Sequence, residues 1–235
     1  PTYAMALAHD WWSFLRTLQR IRYKDGVIGM LTRNHYTIPD WDPNNGYLFR
    51  DMTQELGGGE VAVPLTMVCR RARFFGKFGI GQDIPDQPVT DAYIPKERVP
   101  EILDELRSAD FVNIIRGNAS SQWAGHTGLI ARADDGTVNF LHSARPAVRE
   151  QPLTEYLTAD KRCLGIKILR LRDDAETAMT RALAETPAAT PINESALDAA
   201  VAKLRSESAI DLRYPVGDWR RASRLQAYRI TADAP

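Results

Sequence analysis

The stretch WAGHTGLIARADDGTVNFLHSAR, residues 123–145, decides the fold of the second half of the chain. Two runs of apolar and β-branched residues, 127–133 and 137–144, flank an Asp-Asp-Gly turn signal, and this pattern predicts a β-hairpin. His126 stands at the start of the first run, and His142 lies near the end of the second. Pairing of the two runs would therefore bring both histidines to the same end of the hairpin.

More strands are predicted on both sides of this hairpin. Residues 111–117 and 164–172 are rich in β-branched and apolar side chains, as is typical of buried strands. Residues 152–160, PLTEYLTAD, predict a short helix between the last two strands. The second half of the chain is therefore expected to be an antiparallel meander.

The first half of the chain carries mainly helix signals. Apolar side chains at mixed three- and four-residue steps predict one amphipathic helix over residues 2–22. Residues 61–79 are interpreted as a buried segment that is helical after Pro64, residues 80–95 as a loop, and residues 95–108 as a helix. Helices followed by antiparallel strands predict an α+β fold, with an N-terminal helix packed on an antiparallel sheet.

The composition excludes several classes of protein. With 235 residues, 44% of them apolar, and five tryptophans, the chain is large enough for a packed core and is not expected to be disordered. Thirty basic residues balance 30 acidic residues, so no nucleic acid or anionic membrane is expected as a partner. No apolar run approaches the roughly 18 residues of a membrane span. The start at Pro1 is interpreted as processing after removal of a leader.

The two histidines suggest a catalytic pair, but the sequence offers them no obvious nucleophile. A histidine at the mouth of a strand can serve a serine or cysteine as general base, and a second polar group can orient its ring. Cys69 lies in an apolar segment and Cys163 precedes a strand, and neither position is typical of an activated thiol. Both His126 and His142 could equally be solvated residues at strand ends, so this alternative stays open.

A metal site is a weaker alternative. His35, Asp40, His126 and His142 include the ligand types that zinc prefers. Their spacing is not diagnostic, and no His-Glu-x-x-His helix is present. The expectation is a site that needs no metal and no other cofactor.

Four stretches together resemble one family, the N-acetylmuramoyl-L-alanine amidase-like branch of the NlpC-type, papain-like cysteine hydrolases. They are LQRIRYKDG (18–26), TRNHYTIPDW (32–41), GHTGLIARADDGTVNFLHSA (125–144), and LTEYL (153–157) followed by GIKILRLR (165–172). The resemblance implies a papain-like catalytic domain over residues 1–173. Residues 174–235 would then form a helical C-terminal extension of unknown role.

The resemblance also implies a cysteine–histidine mechanism. In this family the nucleophile is a cysteine at the start of the first core helix, in a motif similar to Asp-Cys-x-Thr-Tyr. Pro1-Thr2-Tyr3 matches the residues after that cysteine, so the thiol is expected directly before Pro1, whereas Ala4-Met5 replaces a glutamate of the family pattern. A helix start favours the thiolate through its dipole. His126 would be the general base and His142 the residue that orients it.

Arg33, His35, Tyr36 and Trp41 match a further motif of this branch and are expected to line the substrate groove. An arginine, a histidine and two aromatic rings suit a ligand that carries carboxylates and a sugar face. The alternative is that Tyr36 and Trp41 only pin their loop to the core.

The resemblance implies hydrolysis of the amide between N-acetylmuramic acid and L-alanine in peptidoglycan fragments, without a cofactor. A substrate of this kind implies a periplasmic or secreted protein. Three alternatives stay open: cleavage of the γ-D-glutamyl–diamino acid bond, binding of muropeptides without turnover, and a zinc hydrolase.

Overall fold

One antiparallel sheet organises the part of the chain that the computed structural model describes, residues 2–118 and 120–187. Its strands are β1 (Phe49–Asp51), β2 (Val63–Cys69), β3 (Gln87–Pro95), β4 (Phe111–Asn118), β5 (Ser121–Arg132), β6 (Val138–Ser143), β7 (Val148–Pro152) and β8 (Cys163–Leu171). They follow the order β2-β3-β8-β4-β5-β6-β7 across the sheet, and β1 also pairs with β8. The predicted α+β class with an antiparallel sheet is therefore confirmed.

Short helices precede, connect and follow these strands. They are α1 (Thr2–Ala6), α2 (Trp11–Arg22), α3 (Asp42–Asn44), α4 (Thr53–Val61), α5 (Arg71–Phe75), α6 (Leu153–Ala159) and α7 (Ala175–Glu185), with a π-helix at Thr37–Trp41 and 3-10 helices at Lys24–Gly26, Gly76–Phe78 and Val99–Glu105. None of these helices is long and apolar enough to cross a bilayer. Of the helical extension expected over residues 174–235, the part from residue 188 onwards lies outside the described residues.

The hairpin predicted from the two apolar runs is present as β5 and β6. β5 and β6 pair antiparallel, and Gly136 in the turn between them has a φ of 88°, which glycine adopts without strain. The strands predicted at 111–117 and 164–172 are β4 and β8, and α6 lies between β7 and β8 as expected for residues 152–160. β7 itself was not predicted.

The single helix predicted for residues 2–22 is wrong, because the chain breaks between α1 and α2. Asp10 caps α2: its carboxylate accepts a hydrogen bond from the Ser13 backbone N–H at 2.6 Å. The Ser13 hydroxyl in turn accepts from the Asp10 backbone N–H at 2.9 Å. This reciprocal capping begins a new helix and interrupts the apolar period.

Three further assignments in the first half need correction. In residues 61–79 the strand β2 replaces the helix expected directly after Pro64, and helical structure begins only at Arg71; the loop predicted at 80–95 contains β3. β2 lies at the edge of the sheet, so the missing N–H of Pro64 removes no essential hydrogen bond. The helix predicted at 95–108 is the short 3-10 helix Val99–Glu105, with Pro100 in its first turn.

The sheet separates two apolar layers. α1, α2 and α7 cover one face, called the α1 face, where Tyr3, Phe111 and Leu169 share a cluster. α4, α6 and the 3-10 helix Val99–Glu105 cover the α6 face, where Val112 and Ile114 are fully buried. Successive strand residues point to opposite faces, which explains why neighbours in β4 belong to different layers. The domain division at residue 173 stays a prediction.

Polar side chains interrupt the apolar layer on the α1 face. Lys167 is only 2% exposed, and its Nζ contacts the carboxylates of Asp51 and, at 2.8 Å, Asp91. Asn113 donates a hydrogen bond from Nδ2 to Oδ2 of Asp42 at 3.2 Å. Burial raises the pKa of Asp42 to about 7, although the charge of Lys167 opposes this shift.

The raised pKa of Asp42 predicts a pH-dependent stability. Between the ordinary aspartate pKa and about 7, the folded chain holds a proton that the unfolded chain releases. Asp42 should therefore contribute a fall in stability of about 1 kcal/mol per pH unit between pH 5 and 7, opposed by His126 and His142, whose lowered pKa values make stability rise with pH. Urea unfolding of an Asp42→Asn variant should lack this slope, because the amide cannot ionise. The exposed Asp83→Asn is the control, and an identical slope in both variants would contradict the assignment.

Candidate active site

A β-bulge in β5 determines where His126 points. Ala124 pairs with Ile115 and His126 pairs with Ile114, so Gly125 is an extra residue between them. The bulge places Ala124 and His126 on opposite faces of the sheet, with His126 on the α6 face. A Cβ on Gly125 would lie 2.5 Å from Cδ of Arg116. Glycine at this position lets the arginine side chain cross the bulge.

His126 and His142 form a hydrogen-bonded pair. Nε2 of His126 lies 2.8 Å from Nδ1 of His142, with the two rings perpendicular. His142 is 6% exposed and stacks on Phe140 at a centroid distance of 4.8 Å. His126 is half-buried, so the orienting ring lies in the core and the other ring lies nearer the surface.

The pair leaves one reactive atom open. No residue in the described part of the chain forms a hydrogen bond with Nδ1 of His126. If Nε2 of His126 carries its proton and donates it to His142, then Nδ1 has a lone pair that can accept a proton. In that arrangement Nε2 of His142 is also protonated, and this buried atom has no partner among the described residues. An unpaired buried nitrogen costs about 1–3 kcal/mol in either tautomer, as a donor in this one and as an acceptor in the other, so this cost does not select between them.

Arg116 supports the pair from behind. Its Nε donates to Asp160 at 2.6 Å, one terminal nitrogen donates to the carbonyl of Gly125 at 3.0 Å, and the other lies 3.3 Å from the Tyr156 hydroxyl. The Tyr156 ring stacks on His126 with centroids 6.2 Å apart. Sequence reasoning missed all three supporting residues, although Tyr156 lies within the LTEYL stretch that carried the family resemblance.

Both histidines are set up to be neutral near pH 7. Burial lowers the pKa of His126, and the charges of His142 and Arg116 lower it further against the opposing effect of Asp160. Burial also lowers the pKa of His142, with a contribution from Arg149. A neutral imidazole can accept a proton, so the electrostatics are compatible with general-base chemistry.

The sequence profile of the AmiA-like, N-acetylmuramoyl-L-alanine amidase-like family matches residues 2–166, more than half of the chain. The chain belongs to this family. This membership confirms the predicted resemblance to N-acetylmuramoyl-L-alanine amidase-like proteins. The NlpC-type, papain-like assignment of its core stays a prediction.

Solved structures support an amidase-like fold. A Legionella pneumophila protein has a TM-score of 0.63 at 19% identity, covering 72% of each chain. An N-acetylmuramoyl-L-alanine amidase from Bacteroides uniformis has a TM-score of 0.56 at 23% identity, covering 72% of this chain and 79% of its own. A Bacteroides fragilis structure described as a putative xylanase has a TM-score of 0.55 at 24% identity, covering 71% and 81%. Identities this low establish the fold, not the chemistry. No curated protein sequence matches the chain.

Neither cysteine of the amidase-like chain has the properties of a nucleophile. Cys69 and Cys163 are both buried and not disulfide-bonded. Burial raises the pKa of each thiol to about 11, so neither is a thiolate near pH 7. The Sγ of Cys163 lies 3.7 Å from the carbonyl of Gly165, its own strand neighbour.

The first helix of this amidase-like chain lies on the other side of the sheet from His126. The Tyr3 ring in α1 packs against Phe49 and Phe111, with centroid distances of 4.8 and 6.5 Å, and its hydroxyl donates to the carbonyl of Ala109. These contacts belong to the α1 face, whereas His126 lies on the α6 face with Tyr156. The structure therefore does not bring the described first turn of α1 to His126.

The four predicted groove residues are not together. His35 and Tyr36 line a surface cavity of about 510 Å³ on the α1 side of β5. Trp41 stacks on Phe111 at 4.7 Å in the core, which favours the alternative that it pins its loop. Arg33 is exposed and does not line that cavity. His126 and His142 do not line this cavity either, so the histidine pair and the cavity are two separate candidate sites.

The zinc alternative is wrong in the form proposed from sequence. His35 stacks on Phe74 in the cavity, and Asp40 is held by an ion pair with Arg71. These two residues are therefore not beside the histidine pair. Within residues 2–118 and 120–187, no group of three or more histidine, cysteine or acidic side chains could hold a metal ion.

Proposed function

We propose that this amidase-like protein hydrolyses the amide between N-acetylmuramic acid and L-alanine in peptidoglycan fragments, with His126 as the general base. The observation that carries the proposal is the 2.8 Å contact between the two histidines, which leaves Nδ1 of His126 open. The family match supplies the amide as the target. A peptidoglycan substrate further implies a periplasmic or extracellular protein.

His126, oriented by His142, would accept a proton from each attacking group and return it to each leaving group. Nδ1 of His126 takes the proton of the nucleophile as it attacks the lactyl carbonyl of N-acetylmuramic acid, and His142 stabilises the resulting imidazolium through Nε2 of His126. The tetrahedral intermediate then collapses, and His126 returns the proton to the departing amine of L-alanine. Water, deprotonated by the same imidazole, then attacks the acyl-enzyme, the bond to the nucleophile breaks, and the acyl group leaves as a carboxylic acid. His126 returns the proton to the departing nucleophile, which restores the starting state.

The nucleophile in this proposal is the thiol of a cysteine directly before Pro1, where the family motif has one. Burial makes Cys69 and Cys163 unsuitable for the role. Because α1 lies on the face opposite to His126, such a thiol reaches Nδ1 only if the first turn leaves Phe49 and Phe111. The proposal therefore includes a requirement that α1 repacks.

The test compares three forms of the chain: the 235-residue sequence, the same chain with a cysteine added before Pro1, and the same chain with a serine added there. Each is incubated with a defined disaccharide–tripeptide, and the products are weighed. We expect release of the tripeptide only from the cysteine form, and its loss after treatment with iodoacetamide.

Three other results would contradict parts of the proposal. Equal turnover by the 235-residue chain would remove the thiol from the mechanism. Fragments cut after D-glutamate would assign the endopeptidase activity instead. Binding without products in any form would identify a muropeptide-binding module.

A further inference from the structure

The cavity lined by His35 and Tyr36, beside β5, has no role in the proposed hydrolysis. It lies between the π-helix Thr37–Trp41, β2, α5 and the first residues of β5, and it has a volume of about 510 Å³. Gln122 ties β2 to β5 there, because its Oε1 accepts the backbone N–H of Thr66 at 2.8 Å. The cavity therefore lies between two strands that a side-chain hydrogen bond holds together, and several elements form its wall.

The charged residues that line this cavity are all basic. Arg70, Arg73 and Lys77 line it, and none of its described lining residues is acidic. Arg70 pairs with Asp86 at 3.3 Å. Arg73 and Lys77 are exposed and form no ion pair with any residue in the described part of the chain. Two cations on one wall, four residues apart, favour an anionic ligand.

Aromatic rings provide the rest of the wall. His35 stacks on Phe74 with a centroid distance of 3.4 Å, and Tyr36 packs edge-on against His35. Trp123, which is 41% exposed, and the apolar side chain of Met67 also line the cavity. A ligand with an apolar or ring face next to a carboxylate would match both the rings and the cations.

The cavity is close in sequence to the histidine pair. Trp123 and Ala124 line it, and His126 follows two residues later on the other face because of the bulge at Gly125. Among the described strands, β5 pairs with β6 only from Gly128 onwards, so residues 121–127 have an edge that lacks a strand partner. An extended substrate could pass around this edge from the cavity to Nδ1 of His126.

We propose that this cavity binds the acidic peptide part of the substrate, with Arg73 and Lys77 as the groups that recognise its carboxylates. The identity of the ligand rests on the proposed function, whereas the preference for a carboxylate rests on the cavity itself. Arg73 and Lys77 would thus determine which peptidoglycan fragments bind, without any part in the chemistry.

The test measures binding and not turnover. A disaccharide–tripeptide with free carboxylates, the same molecule with its carboxylates converted to amides, and the disaccharide alone are titrated into the full chain carrying His126→Gln, which prevents hydrolysis. Arg73→Gln and Lys77→Gln are added singly and together. Arg107→Gln is the matched control, because Arg107 is exposed and does not line the cavity.

We expect each cavity variant to raise the Kd of the free tripeptide ligand about tenfold, and more at low salt than at high salt. The amide form should bind weakly and be insensitive to both substitutions, and Arg107→Gln should change nothing. Failure of the tripeptide ligand to bind, an unchanged Kd in the double variant, or an equal loss with the amide form would each overturn the proposal. Normal carboxylate-dependent binding without turnover by the cysteine-extended chain would instead refute only the proposed hydrolysis.

Discussion

Replacing His126 by glutamine should lower kcat/KM for muropeptide hydrolysis by about 10²- to 10⁴-fold in the active form of the chain. Glutamine can still donate a hydrogen bond from its amide to Nδ1 of His142, so the contact seen at 2.8 Å can be retained. It cannot accept a proton at the position of Nδ1. The loss should therefore be chemical, and the free energy of unfolding should stay within about 1 kcal/mol of the wild-type value.

His142 provides the matched comparison, because it acts through His126 as a positioning residue. His142→Asn keeps an acceptor for Nε2–H of His126, whereas His142→Leu removes it. We expect the asparagine variant to retain much more activity than the leucine variant.

The acidic limb of the pH–rate profile should lie below the ordinary histidine pKa in the wild type, because burial lowers the pKa of His126. Substantial activity in His126→Gln would refute the general-base assignment.

Local signals explain what could be predicted from the sequence. The strand runs, the Asp-Asp-Gly turn and the placement of His126 and His142 near one hairpin end all depend on residues close together in the chain. Such features are set by side-chain period and turn chemistry, which a single sequence contains. β2 was missed because an apolar run of that length suits either a helix or a strand, and β3 was missed because its Gln, Asp and Pro residues are typical of a loop. In both segments only the pairing between the two strands decides the structure.

The parts of the site that were missed depend on contacts between distant residues. Arg116 forms its ion pair with Asp160, which is 44 residues away in the sequence, and neither side-chain periodicity nor residue spacing predicts that pair. The bulge at Gly125 reverses the face that His126 would otherwise share with Ala124, and it follows from pairing with β4 and not from a local signal. The motif containing His35 and Trp41 was expected to form one groove, yet one ring lines the cavity and the other enters the core.

Replacing Lys167 by methionine should destabilise the fold by about 3 kcal/mol, measured by urea unfolding at pH 7. Although burial lowers its pKa, the carboxylates of Asp51 and Asp91 raise the pKa above the ordinary lysine value, so Lys167 stays charged inside the sheet. Methionine fills a similar volume but leaves these carboxylates, and Asp42 close to them, without a counter-charge. Partial exposure of Asp51 and Asp91 allows some rehydration, which keeps the expected loss at the lower end for a broken buried pair.

Two controls separate this charge effect from simple loss of a lysine. Lys161→Met, at an exposed position, should change stability by less than about 0.5 kcal/mol. Adding Asp51→Asn and Asp91→Asn to Lys167→Met should recover most of the loss, because removing both signs of charge eliminates the unpaired carboxylates. A Lys167→Met variant as stable as the wild type would mean that the buried ion pairs contribute nothing to the fold. A triple variant no more stable than Lys167→Met alone would mean that the lysine acts through its packing and not through its charge.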